Sequence, residues 1–123
     1  MPTTKTARKV LIIEDEGDMC LLLNILLEGK GMDVDHVKSI AQAEEYFLQE
    51  KPSLILLDNR LPDGFGLDYI STIKEKNPEA KVIMISGVDI AAKDVALENG
   101  ADTFLEKPFT RAQLFDSVTG LLN

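Results

Sequence analysis

The sequence predicts an α/β fold: one parallel sheet of five strands with helices on both faces. Short β-branched and aliphatic runs without polar alternation read as strands buried on both sides. Each run is followed by a loop of turn formers and then by a stretch whose apolar residues recur at helical spacing, and this pattern occurs five times. A length of 123 residues matches one domain and leaves no room for a second folded unit.

Met1–Arg8 has no apolar period and reads as a frayed lead-in, so the folded body is expected from Lys9 to Leu122, within a single domain spanning 1–123. Val10–Ile13 is the first strand, ended by the acidic triplet Glu14-Asp15-Glu16. Met19, Leu22, Leu23, Leu26 and Leu27 then mark a helix over Gly17–Glu28, with Gly29 and Gly31 as stop signals. Met32–Val37 is the second strand and Ile40–Gln49 the next helix. Leu54–Leu57, the most apolar run, is the third strand, and a helix near Gly66–Lys76 is punctuated by Pro78. Val82–Ile85 is the fourth strand, and Ile90–Glu98 a helix closed by Asn99-Gly100. Thr103–Leu105 is the fifth strand, before a last helix over Arg111–Leu121 with Leu114, Val118 and Leu121 on its core stripe. Right-handed crossovers leave few arrangements, among them the doubly wound, flavodoxin-like order 2-1-3-4-5. In such a sheet ligands bind beyond the carboxyl ends of the strands, near the first and third.

The composition is 45% hydrophobic and 28% charged, without an apolar run that could span a bilayer. Thirteen basic against twenty-one acidic residues give a net charge of −8, which argues against direct nucleic-acid binding and suits cations or basic partners. The lone Cys20 excludes an intrachain disulfide, and Met1–Lys9 lacks the apolar core of a signal peptide. The cytoplasm is the expected address, with no membrane association.

Glu14 and Asp15 end the first strand and Asp58 the third, and these strands are neighbours in the expected order. Two unit charges about 4 Å apart interact by roughly 4 kcal/mol at an effective dielectric near 20, so three carboxylates in one pocket need a cation. A hard divalent ion with oxygen ligands fits, Mg2+ being usual where carboxylates and a phosphoryl group meet. Ser86 at the end of the fourth strand and Lys107 after the fifth add a hydroxyl donor and an ammonium. Carboxylate nucleophile, metal and cation together describe phosphoryl transfer through an acyl phosphate.

Four segments carry a family resemblance: LIIEDE (Leu11–Glu16), LILLDNRLPDGFG (Leu54–Gly66), VIMISG (Val82–Gly87) and GADTFLEKPF (Gly100–Phe109). In order and spacing the chain resembles a response-regulator receiver domain of two-component signalling from about Lys9 to Leu122. The resemblance implies the 2-1-3-4-5 order, with Asp58 as phosphoacceptor and Glu14 and Asp15 as the acidic pair. Asp15 would ligate Mg2+, or Mn2+ in its place, together with Asp58 and the backbone carbonyl of Arg60. Glu14, one methylene longer than the aspartate of many members, would act through water. Ser86 matches the switch hydroxyl, Gly87 a small residue beside the phosphoryl group, Phe104 the switch aromatic and Lys107 the phosphate-pairing lysine. Lys107-Pro108 matches a peptide bond that is often cis in the family. The implied switch moves Ser86 toward the phosphoryl oxygen and Phe104 into the space it leaves, reshaping the face formed by the fourth helix, fifth strand and fifth helix. Arg60 and Val88 flank the path of attacking water and point to slow autodephosphorylation.

The implied partners are a histidine kinase or histidine phosphotransfer protein upstream and a protein target or effector domain downstream, with a phosphorylation-dependent homodimer compatible. The chain is not expected to be an enzyme beyond its own phosphorylation and slow dephosphorylation. A haloacid-dehalogenase-type phosphatase would need an acid two residues after the nucleophile, where Arg60 stands. A flavin carrier would need a hydroxyl-rich loop in place of Glu14-Asp15-Glu16, and a phosphorylation-independent interaction module would not need the complete site. His36, without a companion ligand, reads as a solvated imidazole, and Cys20 as a small helix residue. Phe115 and Leu122, partly off the last helix's stripe, are candidates for a docking or dimer surface. No output domain follows Leu122, which is compatible with a free-standing receiver or a piece of a longer regulator.

Overall fold

The structure is a computed structural model describing residues 8–28, 30–87 and 90–122. Five parallel strands, β1 (Arg8–Ile13), β2 (Met32–Val37), β3 (Leu54–Asp58), β4 (Lys81–Ser86) and β5 (Thr103–Glu106), form one sheet in the order β2-β1-β3-β4-β5. The helices between and after them are α1 (Gly17–Leu27), α2 (Ile40–Phe47), α3 (Gly66–Lys76), α4 (Ile90–Glu98) and α5 (Arg111–Leu122). Among the described residues no helix is long and apolar enough to cross a membrane.

Alternation along the strands divides the core into two layers, because successive side chains point to opposite faces. Leu11, Ile13, Ile55, Leu57, Val82 and Met84 pack with Ala43 of α2, Tyr69, Ile70 and Ile73 of α3, and Ala96 of α4. Val10, Ile12, Leu54, Leu56, Ile83 and Ile85 pack with Cys20, Leu23 and Leu27 of α1 and Leu114 and Val118 of α5. The central β3 is buried over its whole length, as a strand covered on both faces must be.

The differences from expectation have local causes. Arg8, assigned to the lead-in, is the first residue of β1: its backbone pairs with Met32 and its amide donates to the Gly31 carbonyl at 3.1 Å. The rest of the lead-in lies outside the described residues, as do Gly29, Val88 and Asp89. α1 buries Cys20, Leu23 and Leu27, while Leu22 is 43% exposed and Leu21 and Ile25 more so. A helix apolar on nearly every side gives periodicity no face to choose. α2 stops at Phe47 because Leu48 and Gln49 donate three residues back, to Glu45 and Tyr46, tightening the last turn. β2, an edge strand, is only half-buried and carries Asp33, Asp35 and an exposed His36. Leu121 is half-buried, near the end of α5.

After α4 the chain turns at Gly100, whose φ of +113° is costly for a residue with a Cβ. Gly100 donates to Leu97 and Ala101 to Ala96, satisfying the helix's last carbonyls. Between β3 and α3, Arg60–Leu61 and Gly64–Phe65 form a two-residue antiparallel ladder that periodicity does not reveal.

Candidate acidic site at the carboxyl edge of the sheet

β1 and β3 run side by side, with Ile13 opposite Leu57, so Glu14, just past β1, and Asp58, the last residue of β3, come together at the carboxyl edge of the sheet. Carboxylate oxygens of Glu14, Asp15 and Asp58 all lie within 4.8 Å of one another, a cluster able to hold a divalent metal ion. Glu14 is 2% exposed and Asp58 8%, whereas Asp15 faces solvent. The cleft above them, about 420 Å³, is also lined by Glu16, Asn59, Arg60, Ser86, Gly87 and Lys107.

The fifth strand supplies the cation. β4 and β5 place Ser86 opposite Glu106, and the Lys107 amide donates to the Ser86 carbonyl at 2.8 Å. The Lys107–Pro108 peptide is cis. Lys107 Nζ stands 3.2 Å from Asp58 Oδ1 and 3.3 Å from Glu14 Oε1, bridging the two buried carboxylates. Burial opposes the Lys107 charge, but Asp58 and Glu14 outweigh it and hold the ammonium pKa above its ordinary value. Burial pushes the Glu14 carboxyl up to about 7; the Asp58 charge adds to this, and Lys107 only partly offsets it. The site therefore carries unrelieved negative charge when no metal is bound. An all-oxygen donor set of three carboxylates fits a hard divalent cation.

Several supports of the cleft leave no mark in the sequence pattern. The Glu16 amide donates to Glu14 Oε2 at 3.2 Å and Cys20 Sγ to the Glu14 carbonyl at 3.1 Å, fixing Glu14 from both sides. Asn59 accepts from the Gly66 amide on its carbonyl at 2.7 Å and from the Leu67 amide on Oδ1 at 3.1 Å, which seats α3 against the Asp58 segment. A Cβ on Gly66 would lie 2.3 Å from the Asp58 carbonyl oxygen, so only glycine permits this approach. Gly66 closes the segment LILLDNRLPDGFG, but spacing alone does not reveal the contact. Asp63 accepts from the Ile40 and Ala41 amides, each at 2.9 Å, and so caps α2 from a loop more than twenty residues away.

Of the residues singled out in the sequence, Glu14, Asp15, Asp58, Arg60, Ser86, Gly87 and Lys107 line one cleft. Phe104 does not: it pairs with Met84, is half-buried against the core, and lines a separate recess of about 590 Å³ with Lys93, Glu106 and Pro108.

Comparison with known proteins agrees with this arrangement. A family model described as the response regulator receiver domain matches residues 10–119. The chain is 36% identical over 118 residues to the response regulator protein PilR of Pseudomonas aeruginosa, covering 94% of this chain and 26% of that one. The solution structure of the beryllofluoride-activated NtrC4 receiver domain dimer superposes with a TM-score of 0.86 at 32% identity, covering 92% and 94% of the two chains. A response regulator from Burkholderia pseudomallei, solved with a phosphorylated aspartic acid, calcium ion and citrate, gives 0.82 at 26% identity, covering 94% and 66%. The chain spans about a quarter to just over half the length of the curated relatives it matches.

Proposed function

The chain belongs to the response regulator receiver domain family, and from that premise we infer that Asp58 is the residue that accepts the phosphoryl group. The receiver is a phosphoacceptor module that promotes its own phosphorylation and dephosphorylation and turns over no separate substrate. The observation that carries the assignment to Asp58 is its place: buried at the end of the central strand, 3.2 Å from the Lys107 ammonium and within 4.8 Å of the Glu14 and Asp15 carboxylates.

Mg2+ is the cofactor proposed for the carboxylate cluster; Asp15, Asp58 and the Arg60 carbonyl would hold it, and Glu14 would act through water. When bound it would supply charge neutralisation for the donor's phosphoryl oxygens and the acidic cluster. An Asp58 carboxylate oxygen forms the new P–O bond as the P–N bond to a phosphohistidine donor breaks, and the electron pair returns to the departing imidazole nitrogen. Lys107, released from Asp58 as that carboxylate becomes an acyl phosphate, pairs with a phosphoryl oxygen, and Ser86 donates its hydroxyl to another. Gly87 leaves space beside the group. Differential contact of these groups with the phosphorylated state biases Phe104 and the α4–β5–α5 face, which would meet the downstream partner. The donor is a histidine kinase or histidine phosphotransfer protein, and the module would work in the cytoplasm. Arg60, exposed at the cleft mouth, would shield the acyl phosphate from water.

Beryllofluoride titration in Mg2+, followed by amide chemical shifts, tests the reading. The expected result is a saturating change at the cleft and on the α4–β5–α5 face that is absent in Asp58→Asn. An unchanged response in that variant would overturn the assignment.

A further inference from the structure

We propose that the recess at the opposite pole of the sheet, where the strands begin, is a binding site for a polyphosphate anion. The recess has a volume of about 490 Å³ and is lined by Arg8, Lys51, Lys76 and Lys81 against a single acid, Glu79. This concentration of positive charge stands in a chain whose net charge is −8. Lys76 makes an exposed ion pair with Glu44 at 3.7 Å, but Arg8, Lys51 and Lys81 make no ion pair or side-chain hydrogen bond with any described residue.

Basic residues at this pole have one ordinary use, to balance the carbonyl ends of the helices that finish there. Lys74 and Lys76, in the last turn of α3, serve that use. Arg8 and Lys81 begin strands and Lys51 precedes one, so their charge is surplus to it. The frame holding them is rigid: the Ser53 amide donates to the Lys9 carbonyl at 2.8 Å and the Lys81 amide to the Ser53 carbonyl at 2.9 Å, tying three strand starts together.

Three cations without a partner among the described residues, around one cavity, suit several anionic oxygens on a single molecule, the chemistry of a di- or triphosphate. Pro52, Pro78, Leu121 and Leu122 form an apolar wall beside the cations, against which a nucleoside could pack.

The test is calorimetric and NMR titration of the full chain with inorganic pyrophosphate and, separately, ATP. It is run in chelator so that the acidic cleft takes no part, and at about 0.15 M salt, where loose surface attraction is screened. The expected result is saturable binding that shifts the amides of Lys51, Ser53, Asn77 and Lys81. Binding should weaken about tenfold or more in Lys51→Gln/Lys81→Gln, whose exposed or half-exposed side chains make no ion pair or hydrogen bond with any described residue, and persist in Asp58→Asn. Equal affinity for the two probes assigns the site to the phosphates alone, and tighter ATP binding adds the apolar wall. Absence of saturation with both probes, or unchanged affinity in the double variant, would overturn the proposal.

Discussion

The Glu14 carboxyl offers a quantitative handle on the charge stored in the acidic cleft. The residue is 2% exposed and shares Lys107 with Asp58, and burial with the Asp58 charge lifts its pKa from 4.5 to about 7. A raised acid pKa means that the folded chain keeps a proton which the unfolded chain has already lost. Glu14's contribution to the stability of the metal-free protein is therefore fully present below pH 4.5, falls as the pH rises from there to about 7, and levels off above. At about 1.4 kcal/mol per pH unit, the loss sums to about 3 kcal/mol. Glu14→Gln keeps the shape but cannot ionise, and its single carbonyl oxygen accepts from Lys107 or from the Glu16 amide, where the carboxylate serves one on each oxygen. In urea unfolding with chelator, the variant should exceed the parent by less than about 1 kcal/mol at pH 5 and by about 3 kcal/mol at pH 8. A difference that stays the same across this range, or a variant less stable at pH 8, would refute the reasoning.

Three further outcomes follow from the contacts around the cleft. Gly66→Ala drives a Cβ to 2.3 Å from the Asp58 carbonyl, so backbone must move; a cost of about 1–3 kcal/mol and slower phosphorylation are expected, and wild-type values for both would contradict the close approach. Asp63→Ala should lower the melting temperature at neutral pH, with the difference vanishing in acid. The Ile40 and Ala41 amides hold the Asp63 pKa below its ordinary value, so its contribution is present above the usual carboxylate range and lost as pH falls through the folded value. Asp58→Asn in chelator at pH 8, where Glu14 is ionised, exchanges an attraction to Lys107 at 3.2 Å, about 5 kcal/mol at an effective dielectric of 20, for relief from Glu14 and Asp15 within 4.8 Å, at least about 3 kcal/mol each. Its thermal stability should be equal or higher, and a clear loss would count against the crowding of the cluster.

The parts of the molecule that sequence made legible are those where local pattern and tertiary demand coincide. β2, α3 and α4 match their expected bounds because a change of period or a Gly or Pro marks each end. The face of α1 was not legible, since Leu21, Leu22 and Ile25 are as apolar as the residues that face the sheet. The gathering of Glu14, Asp58 and Lys107 followed from their positions at strand ends once the parallel order was assumed. The contacts that hold them were hidden for a different reason. Asp63 acts on α2, Gly66 on the Asp58 carbonyl and Cys20 on the Glu14 carbonyl through distances that exist only after folding. The basic recess draws on residues far apart in the chain and has no spacing to betray it.

The central claim is that the buried carboxylate of Asp58 takes the phosphoryl group. Incubation with acetyl phosphate and Mg2+, followed by intact-mass analysis and borohydride trapping of the acyl phosphate, tests it directly. One phosphoryl group per chain, trapped at Asp58 and absent from Asp58→Asn, is the predicted result. Stoichiometric labelling of a folded Asp58→Asn, or trapping at another carboxylate of the parent chain, would contradict it.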